Sequence, residues 1–272
     1  MSYATLLVYI EADHPAEERL RLAARLADKF SSLLIGFSAL APRPPPRAES
    51  SAVVEMLEAE SKAITAKLSE RGNWFRRVAA GDQARREWRW AVDRPTEALA
   101  REARCADLVV AGRSRGGDAY NALDLGGFLL RAGRPVLVVP EGVAALRADH
   151  IVIGWKDTRE ARRAVQDALP FLHEATRVTI VEICKSGEEQ AAQENIDDVA
   201  RYLGRHRIKS GPKVTLHEKG SEADQLIRLA RDDGADLLVT GAYGHSRLGE
   251  WIFGGMTHKL VTESPICCLM SH

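Results

Sequence analysis

The sequence has no surplus of charge of either sign. Its 38 Lys and Arg are matched by 38 Asp and Glu, for a formal net charge of +0. That balance removes the bulk electrostatic pull toward nucleic acid or anionic lipid. Cysteine is scarce: Cys105, Cys184, Cys267 and Cys268 are the only four, and they form neither a CxxC pair nor a zinc spacing. They read as small buried hydrophobes in a reducing compartment. No apolar run approaches the length of a membrane span. The opening Met1-Ser-Tyr-Ala-Thr-Leu-Leu-Val-Tyr-Ile10 lacks the basic region of a signal peptide, and Glu11 and Asp13 end it early. These absences predict a cytoplasmic protein with no nucleic-acid or membrane partner.

Catalytic signatures are missing as well. There is no G-x4-G-K-[ST] loop, no G-x-G-x-x-G fingerprint and no G-x-S-x-G elbow. His173-Glu174 is not followed by the second histidine of a metalloprotease. No nucleophile–base pair stands out, so neither an enzyme nor a metal site is expected.

What is present is an ordinary globular balance, 45% apolar and 28% charged, in 272 residues. That length suits two domains. The chain repeats itself once. Cys105-Ala-Asp-Leu-Val-Val-Ala-Gly112 matches Gly234-Ala-Asp-Leu-Leu-Val-Thr-Gly241. A glycine pair follows each, Gly126-Gly127 and Gly254-Gly255, and a proline-led apolar run closes each, from Pro135 and from Pro265. The opening runs Leu6–Ile10 and Ile151–Trp155 also match. These openings are 145 residues apart and the Ala-Asp-Leu segments 129, so the first copy carries 16 extra residues between them. Part of the excess is Ala41-Pro-Arg-Pro-Pro-Pro-Arg47, which cannot be regular helix; the rest is expected to lengthen the following helix. The domains are predicted at 1–145 and 146–272, with Glu141–Asp149 as linker.

Short apolar runs alternate with helical patterns in both halves. In the second, strands are predicted at Ile151–Trp155, Val178–Ile183, Lys213–His217, Ala235–Thr240 and Ile266–Met270. Helices are predicted at Arg159–Leu172, Glu188–Leu203, Ala223–Arg231 and Gly254–Thr262, with Gly204 as a left-handed stop. The first half gives the same order, with Glu87–Val92 its third strand and Pro95 opening the next helix. The fold class is α/β: two tandem open parallel sheets of Rossmann-like type, covered on both faces. Ligands of such sheets bind beyond the carboxyl ends of the strands at a topological switch point.

The most informative segment follows the fourth strand of the second copy. It runs Gly241-Ala-Tyr-Gly244, nine residues, then Gly254-Gly255-Met256-Thr257. Glycines at a strand exit let backbone N–H groups approach an anion. A helix start beyond them adds unpaired N–H groups and a favourable dipole. Together they could hold a polyphosphate without a lysine.

This pattern resembles the nucleotide-binding motif of universal stress proteins, G-x2-G-x9-G followed by Ser or Thr. The chain resembles the tandem form of that family over both halves, with the adenine-nucleotide α-hydrolase-like fold. The resemblance implies a cytoplasmic stress-response regulator that binds ATP with Mg in its second domain. It assigns phosphate contacts to Gly241, Gly244 and Gly254, with Gly255, Met256 and Thr257 completing the helix start. Gly255 stands where nucleotide-binding members carry Ser or Thr, and Thr257 is a displaced substitute. Lys156 stands where many carry Asp at the end of the first strand, with Asp157 next to it. Ile183 falls near the position whose backbone meets adenine. The Ser-Gly-Gly and His-x-Gly-His motifs of enzymatic relatives of the fold are absent.

The first copy departs further. Its loop, Gly112-Arg-Ser-Arg-Gly116, is one residue longer, and Glu11 takes the first-strand Asp position. That domain is expected to be mainly structural. His245 and Tyr243 read as a solvated loop residue and a packing residue, Trp251 and Phe253 as core or interface, and Asp107 and Asp236 as turn or helix-end residues. The resemblance further implies a homodimer, and pairing of the final strands Val136–Val139 and Ile266–Leu269 across the two copies. Three readings stand side by side: a nucleotide sensor, a ligand-free scaffold with a glycine loop that only turns the chain, and a slow ATPase.

Overall fold

The computed structural model describes residues 2–13, 16–43, 51–113, 119–244 and 255–272. The chain forms two compact units. The N-terminal unit comprises Tyr3–Ala132 with Glu141–Ala145, and the C-terminal unit Gly133–Pro140 and Leu146–His272 together with Ser2.

The N-terminal unit contains β1 (Thr5–Tyr9), α1 (Glu17–Phe30), β2 (Leu33–Ala39), α2 (Ser51–Val78), β3 (Arg86–Ala91), α3 (Pro95–Glu102), β4 (Leu108–Gly112) and α4 (Leu125–Ala132). Its strands run in the order β3-β2-β1-β4, with every pair parallel. The C-terminal unit contains β5 (Val136–Val139), β6 (His150–Trp155), α5 (Arg159–Asp167), α6 (Leu169–Glu174), β7 (Arg177–Cys184), α7 (Glu189–Arg205), β8 (Gly211–Leu216), α8 (Glu222–Asp232), β9 (Leu237–Gly241), α9 (Gly255–Glu263) and β10 (Cys267–Ser271). Its order is β5-β10-β9-β6-β7-β8. These pairs are parallel except that β5 runs antiparallel to β10, with Val136 opposite Met270 and Val138 opposite Cys268. The last strand of the first repeat therefore folds into the C-terminal unit, in the strand pairing expected from the resemblance.

The central strands are apolar on both faces because helices cover both. In β6 only Gly154 escapes full burial, and all of β4 and β5 is buried. In each unit the first strand lies between the second and the fourth. The connections diverge there, which opens a crevice at the carboxyl ends of β6 and β9.

Local chemistry sets the helix starts. Thr158 caps α5 by accepting from Ala161 N–H at 3.2 Å, Ser221 caps α8 through Ala223 N–H at 3.2 Å, and Pro95 opens α3. Two expectations fail. The predicted helix Arg159–Leu172 breaks at Ala168 into α5 and α6, because Pro170 has no N–H to continue the ladder and sits at the start of α6. Gly204 is not a left-handed stop: α7 runs through it to Arg205, and the left-handed residue is Arg207, at φ 63°. The extra residues of the first copy do lengthen the helix after the proline stretch. α2 has 28 residues where its counterpart α7 has 17.

The repeated Ala-Asp-Leu segment has a mechanical role. The Asp107 carboxylate accepts from Ala4 and Thr5 N–H at 2.8 and 2.9 Å, and Asp236 accepts from Asp149 and His150 N–H at 3.1 and 3.2 Å. In each copy the carboxylate beside the fourth strand holds the start of the first, fixing their mutual register. Asp236→Ala is expected to destabilise the protein by about 1.5–3 kcal/mol, the value of hydrogen bonds to a charged acceptor. Urea denaturation reads this; an unchanged midpoint would contradict the role.

Candidate functional site

At the crevice of the C-terminal unit, the exit of β9 lies against the start of α5. A Cβ on Gly241 would come within 2.6 Å of Ala161 N and 2.8 Å of the Glu160 carbonyl carbon. Both are backbone atoms, so no side chain of any kind fits. A Cβ on Gly244 would lie 2.8 Å from Thr158 Oγ1 and 3.1 Å from Glu160 Oε2. Both glycines therefore serve the close approach of strand exit and helix start, and a buried carboxylate stands beside Gly244. Burial pushes the Glu160 carboxyl up, but its pairing with the Arg159 guanidinium and bonds from its own N–H and Thr158 bring it below its usual value.

Between the glycines, Tyr243 holds the left-handed conformation at φ 58°. Its N–H donates to Thr257 Oγ1 at 3.0 Å, and Ala242 N–H donates to Ser271 O at 2.8 Å. Thr257 is buried in the first turn of α9 and binds the glycine loop to that helix. The hydroxyl missing at Gly255 is thus supplied two residues later, as an acceptor for the loop. Gly255 is exposed, and a Cβ there would meet nothing within 4 Å among the described residues. Gly255, Met256 and Thr257 form the helix start, whose N–H groups have no acceptor within the helix. The Thr257 bond ties the loop to the helix start, and two loop amides are committed to protein acceptors. Gly254, His245, Trp251 and Phe253 lie outside the described residues.

The residues that sequence reasoning missed stand at the neighbouring strand ends. Trp155 and Glu182 are register partners at the carboxyl ends of β6 and β7, on one face of the sheet. They are 8% and 5% exposed, yet Trp155 Nε1 and Glu182 Oε2 have no hydrogen-bond partner among the described residues. A buried orphan costs about 1–3 kcal/mol. Arg19 Nε, Ser38 Oγ, Arg71 Nε and Ser210 Oγ are unmet in the same way, and in native proteins water or a ligand meets such groups. Burial pushes the Glu182 carboxyl up, Lys156 draws it partly back, and Asp157 raises it further. Only the placement of a tryptophan and a glutamate at the ends of apolar strands could have flagged this pair. Ile183 is buried next to Glu182.

The equivalent crevice of the N-terminal unit is covered from within. The lengthened α2 packs Ile64 and Leu68 on Ala12, with Leu40 and Val92 around them. Arg71 Nη2 donates to Ala12 O at 2.7 Å, Lys67 pairs with Asp13, and Glu11 pairs with buried Arg19. The helix start after β4 is also taken, because the Asp124 carboxylate accepts from Gly127 N–H at 3.0 Å. Gly116 and Arg115 lie outside the described residues.

One cluster elsewhere has the composition of a catalytic triad. His150 Nε2 lies 3.1 Å from Asp233 Oδ2 and 3.3 Å from Thr179 Oγ1. It sits at the amino ends of β6 and β7, opposite the crevice. The Thr179 hydroxyl donates to Asp233 at 2.9 Å, so the histidine does not hold it as a base would. Among the described residues, no group of three or more His, Cys, Asp or Glu could hold a metal ion. No helix among them is long and apolar enough to cross a membrane.

Two outcomes follow from this geometry. Gly241→Ala is expected to cost about 1–3 kcal/mol of stability in chemical denaturation, the cost of an overpacked contact; a neutral result would contradict the contact with Ala161. Glu182 is an acid whose folded-state pKa is raised, so folding holds its proton more tightly than the unfolded chain does. That stability is present at low pH and is lost as pH rises from about 4.5 through the folded value. Glu182→Gln should therefore gain stability relative to the parent as pH rises over that window, in urea melts at stepped pH; a constant difference would contradict the burial.

A model of the universal stress protein family matches residues 148–272. No curated protein matches the chain in sequence. Solved structures match it along nearly its whole length. A universal stress protein from Archaeoglobus fulgidus DSM 4304 is 13% identical, with 97% of this chain and 95% of that one covered and a TM-score of 0.67. A candidate universal stress protein from Pseudomonas aeruginosa UCBPP-PA14 is 16% identical, with 99% and 93% covered and a TM-score of 0.61. A protein of unknown function from Pseudomonas aeruginosa PAO1 is 14% identical, with 99% and 92% covered and a TM-score of 0.60. At these identities the structures establish the tandem-length α/β fold. The universal stress protein family model thus lies on the second half of the chain, residues 148–272, the stretch that carries the glycine loop and strand ends described above.

Proposed function

We propose that the C-terminal unit binds one nucleotide, with ATP and Mg as the ligand the family resemblance implies, and that the protein acts as a stress-response regulator through the bound and free states. The observation that carries this reading is the unmet Trp155 Nε1 and Glu182 Oε2 at the strand ends, next to the place where the glycine loop meets the first turn of α9. Phosphates suit the helix start at Gly255, Met256 and Thr257. The nucleoside end suits the polar strand ends. Lys156, next to Trp155, adds a cation where the family pattern carries Asp. The N-terminal unit takes no part in binding, since α2 and Asp124 fill its crevice and helix start.

A scaffold is the second reading, and specific contacts favour it. The space beside Gly241 and Gly244 is filled by α5 and Glu160, and the amides of Ala242 and Tyr243 are already bonded. Both readings take the protein as a binder rather than a catalyst. Both expect a homodimer, since β3 and β8 end their sheet orders with one edge open.

Calorimetric titration of nucleotide-stripped protein with Mg-ATP, beside Gly244→Val, separates them. The sensor reading expects saturable binding at one site per chain, weakened at least about tenfold in the variant, where a Val side chain would collide with Thr158 and Glu160. No heat, and no shift of the unfolding midpoint by excess ATP, would leave the scaffold. Sedimentation of the same samples reads the dimer.

A further inference from the structure

The face of α5 opposite its buried Ala161, Ala164 and Val165 is a stripe of Arg159, Arg162, Arg163 and Gln166. The spacing i, i+3, i+4, i+7 puts all four on one side of the helix. Together with Asp167 they line an open cavity of about 480 Å³. That volume is within the range of small-molecule sites, roughly 300–1,000 Å³. Among the described residues, no apolar or aromatic side chain lines it.

Arg159, Arg162 and Arg163 stand against the carboxylates of Glu160, Asp157 and Asp167, and Asp167 is also engaged by the Ser271 hydroxyl at 2.9 Å. Arg163 and Arg134 both act on that carboxylate electrostatically, so a fourth cation stands near the cavity. Each lining guanidinium is steadied by a protein acceptor. Arg159 pairs with Glu160, Arg162 Nη2 donates to Asp157 at 2.5 Å, and Arg163 Nη2 donates to Gly133 O at 2.9 Å. A guanidinium has five N–H donors, so these bonds orient the forks and leave most donors uncommitted. The cavity also adjoins the glycine loop, because Glu160, which pairs with Arg159, is the residue beside Gly244.

We propose that this arginine-lined groove on α5 is a second anion site, and that its ligand is a small oligophosphate lying along the helix from Arg159 to Arg163. Arginine forks bind phosphate oxygens in pairs, and successive forks one helical turn apart suit a chain of phosphates rather than a single carboxylate. The site does not depend on nucleotide binding at the glycine loop. A zero net charge over the whole chain argues against a long nucleic acid and for a short, locally read polyanion.

The test is titration of the full chain with inorganic tripolyphosphate, and separately with Mg-ATP, in the parent and three variants. Arg162→Glu reverses one charge and releases only the exposed Asp157. Arg159→Lys keeps the counter-charge of Glu160 but gives up the fork. Thr257→Val removes the hydroxyl that holds the glycine loop to α9 and does not touch α5. The expected result is saturable tripolyphosphate binding that weakens about tenfold or more in Arg162→Glu and severalfold in Arg159→Lys, with Thr257→Val unaffected. Circular dichroism confirms that each variant is folded, and either arginine variant alone suffices for the comparison. Absence of tripolyphosphate binding to the parent overturns the proposal. So does binding that both arginine variants retain, or binding that only Thr257→Val removes. Mg-ATP carries phosphates for either site, so the binding lost in Thr257→Val reads the glycine loop and the binding lost in Arg162→Glu reads α5.

Discussion

The crevice of the C-terminal unit depends on a backbone-to-backbone contact. Gly241 at the end of β9 meets Ala161 N and the Glu160 carbonyl carbon with no room for a Cβ. This contact lets α5 begin directly against the strand exit. It brings Thr158 and Glu160 beside Gly244 and sets the side on which the arginine stripe of α5 faces outward. Thr257 completes the arrangement from the other direction by holding Tyr243 in its left-handed turn. A non-glycine residue in that conformation costs energy, and the Thr257 bond and the buried Ala242 amide supply the surrounding constraint.

Duplication has kept the frame and altered the ends of the strands. The carboxylates of Asp107 and Asp236 hold β1 and β6 in the same way, so both copies need them whatever they bind. The carboxyl ends differ. In the N-terminal unit a longer α2 brings Ile64, Leu68, Lys67 and Arg71 over Ala12 and Asp13, where Lys67 pairs with Asp13 and Arg71 bonds Ala12 O, although Arg19 Nε, Arg71 Nε and Ser38 Oγ stay unmet among the described residues. In the C-terminal unit α7 is shorter, and Trp155 and Glu182 keep unmet atoms at the strand ends. A helix extension of about three turns is thus the physical difference between a crevice covered by its own helix and one without that cover.

Much of this was legible in the residues. The repeat, the alternation of apolar runs with helices and the G-x2-G-x9-G spacing gave the parallel α/β frame and the position of the loop. The 16-residue excess located the longer helix. Other features depend on tertiary neighbours that no local pattern reveals. Gly204 has the identity of a helix stop, but α7 has packing enough to run through it, and Arg207 takes the left-handed turn instead. Pro170 reads as compatible with a long helix by apolar period alone, yet it divides α5 from α6. Gly241 and Gly244 read as phosphate-facing because glycine spacing cannot say whether a ligand or a helix start takes the space. Trp155 and Glu182 carry no motif; their meaning comes from burial without a partner.

The central claim is that the two crevices differ, the C-terminal one taking a ligand and the N-terminal one filled by its own helix. Hydrogen exchange of the full chain with and without saturating Mg-ATP tests it most directly, since protection is read segment by segment. The account predicts slower exchange at 153–158, 182–188, 241–244 and 255–260. It predicts no change at 9–13 or 64–71. Protection of the N-terminal segments, or none anywhere, would contradict it.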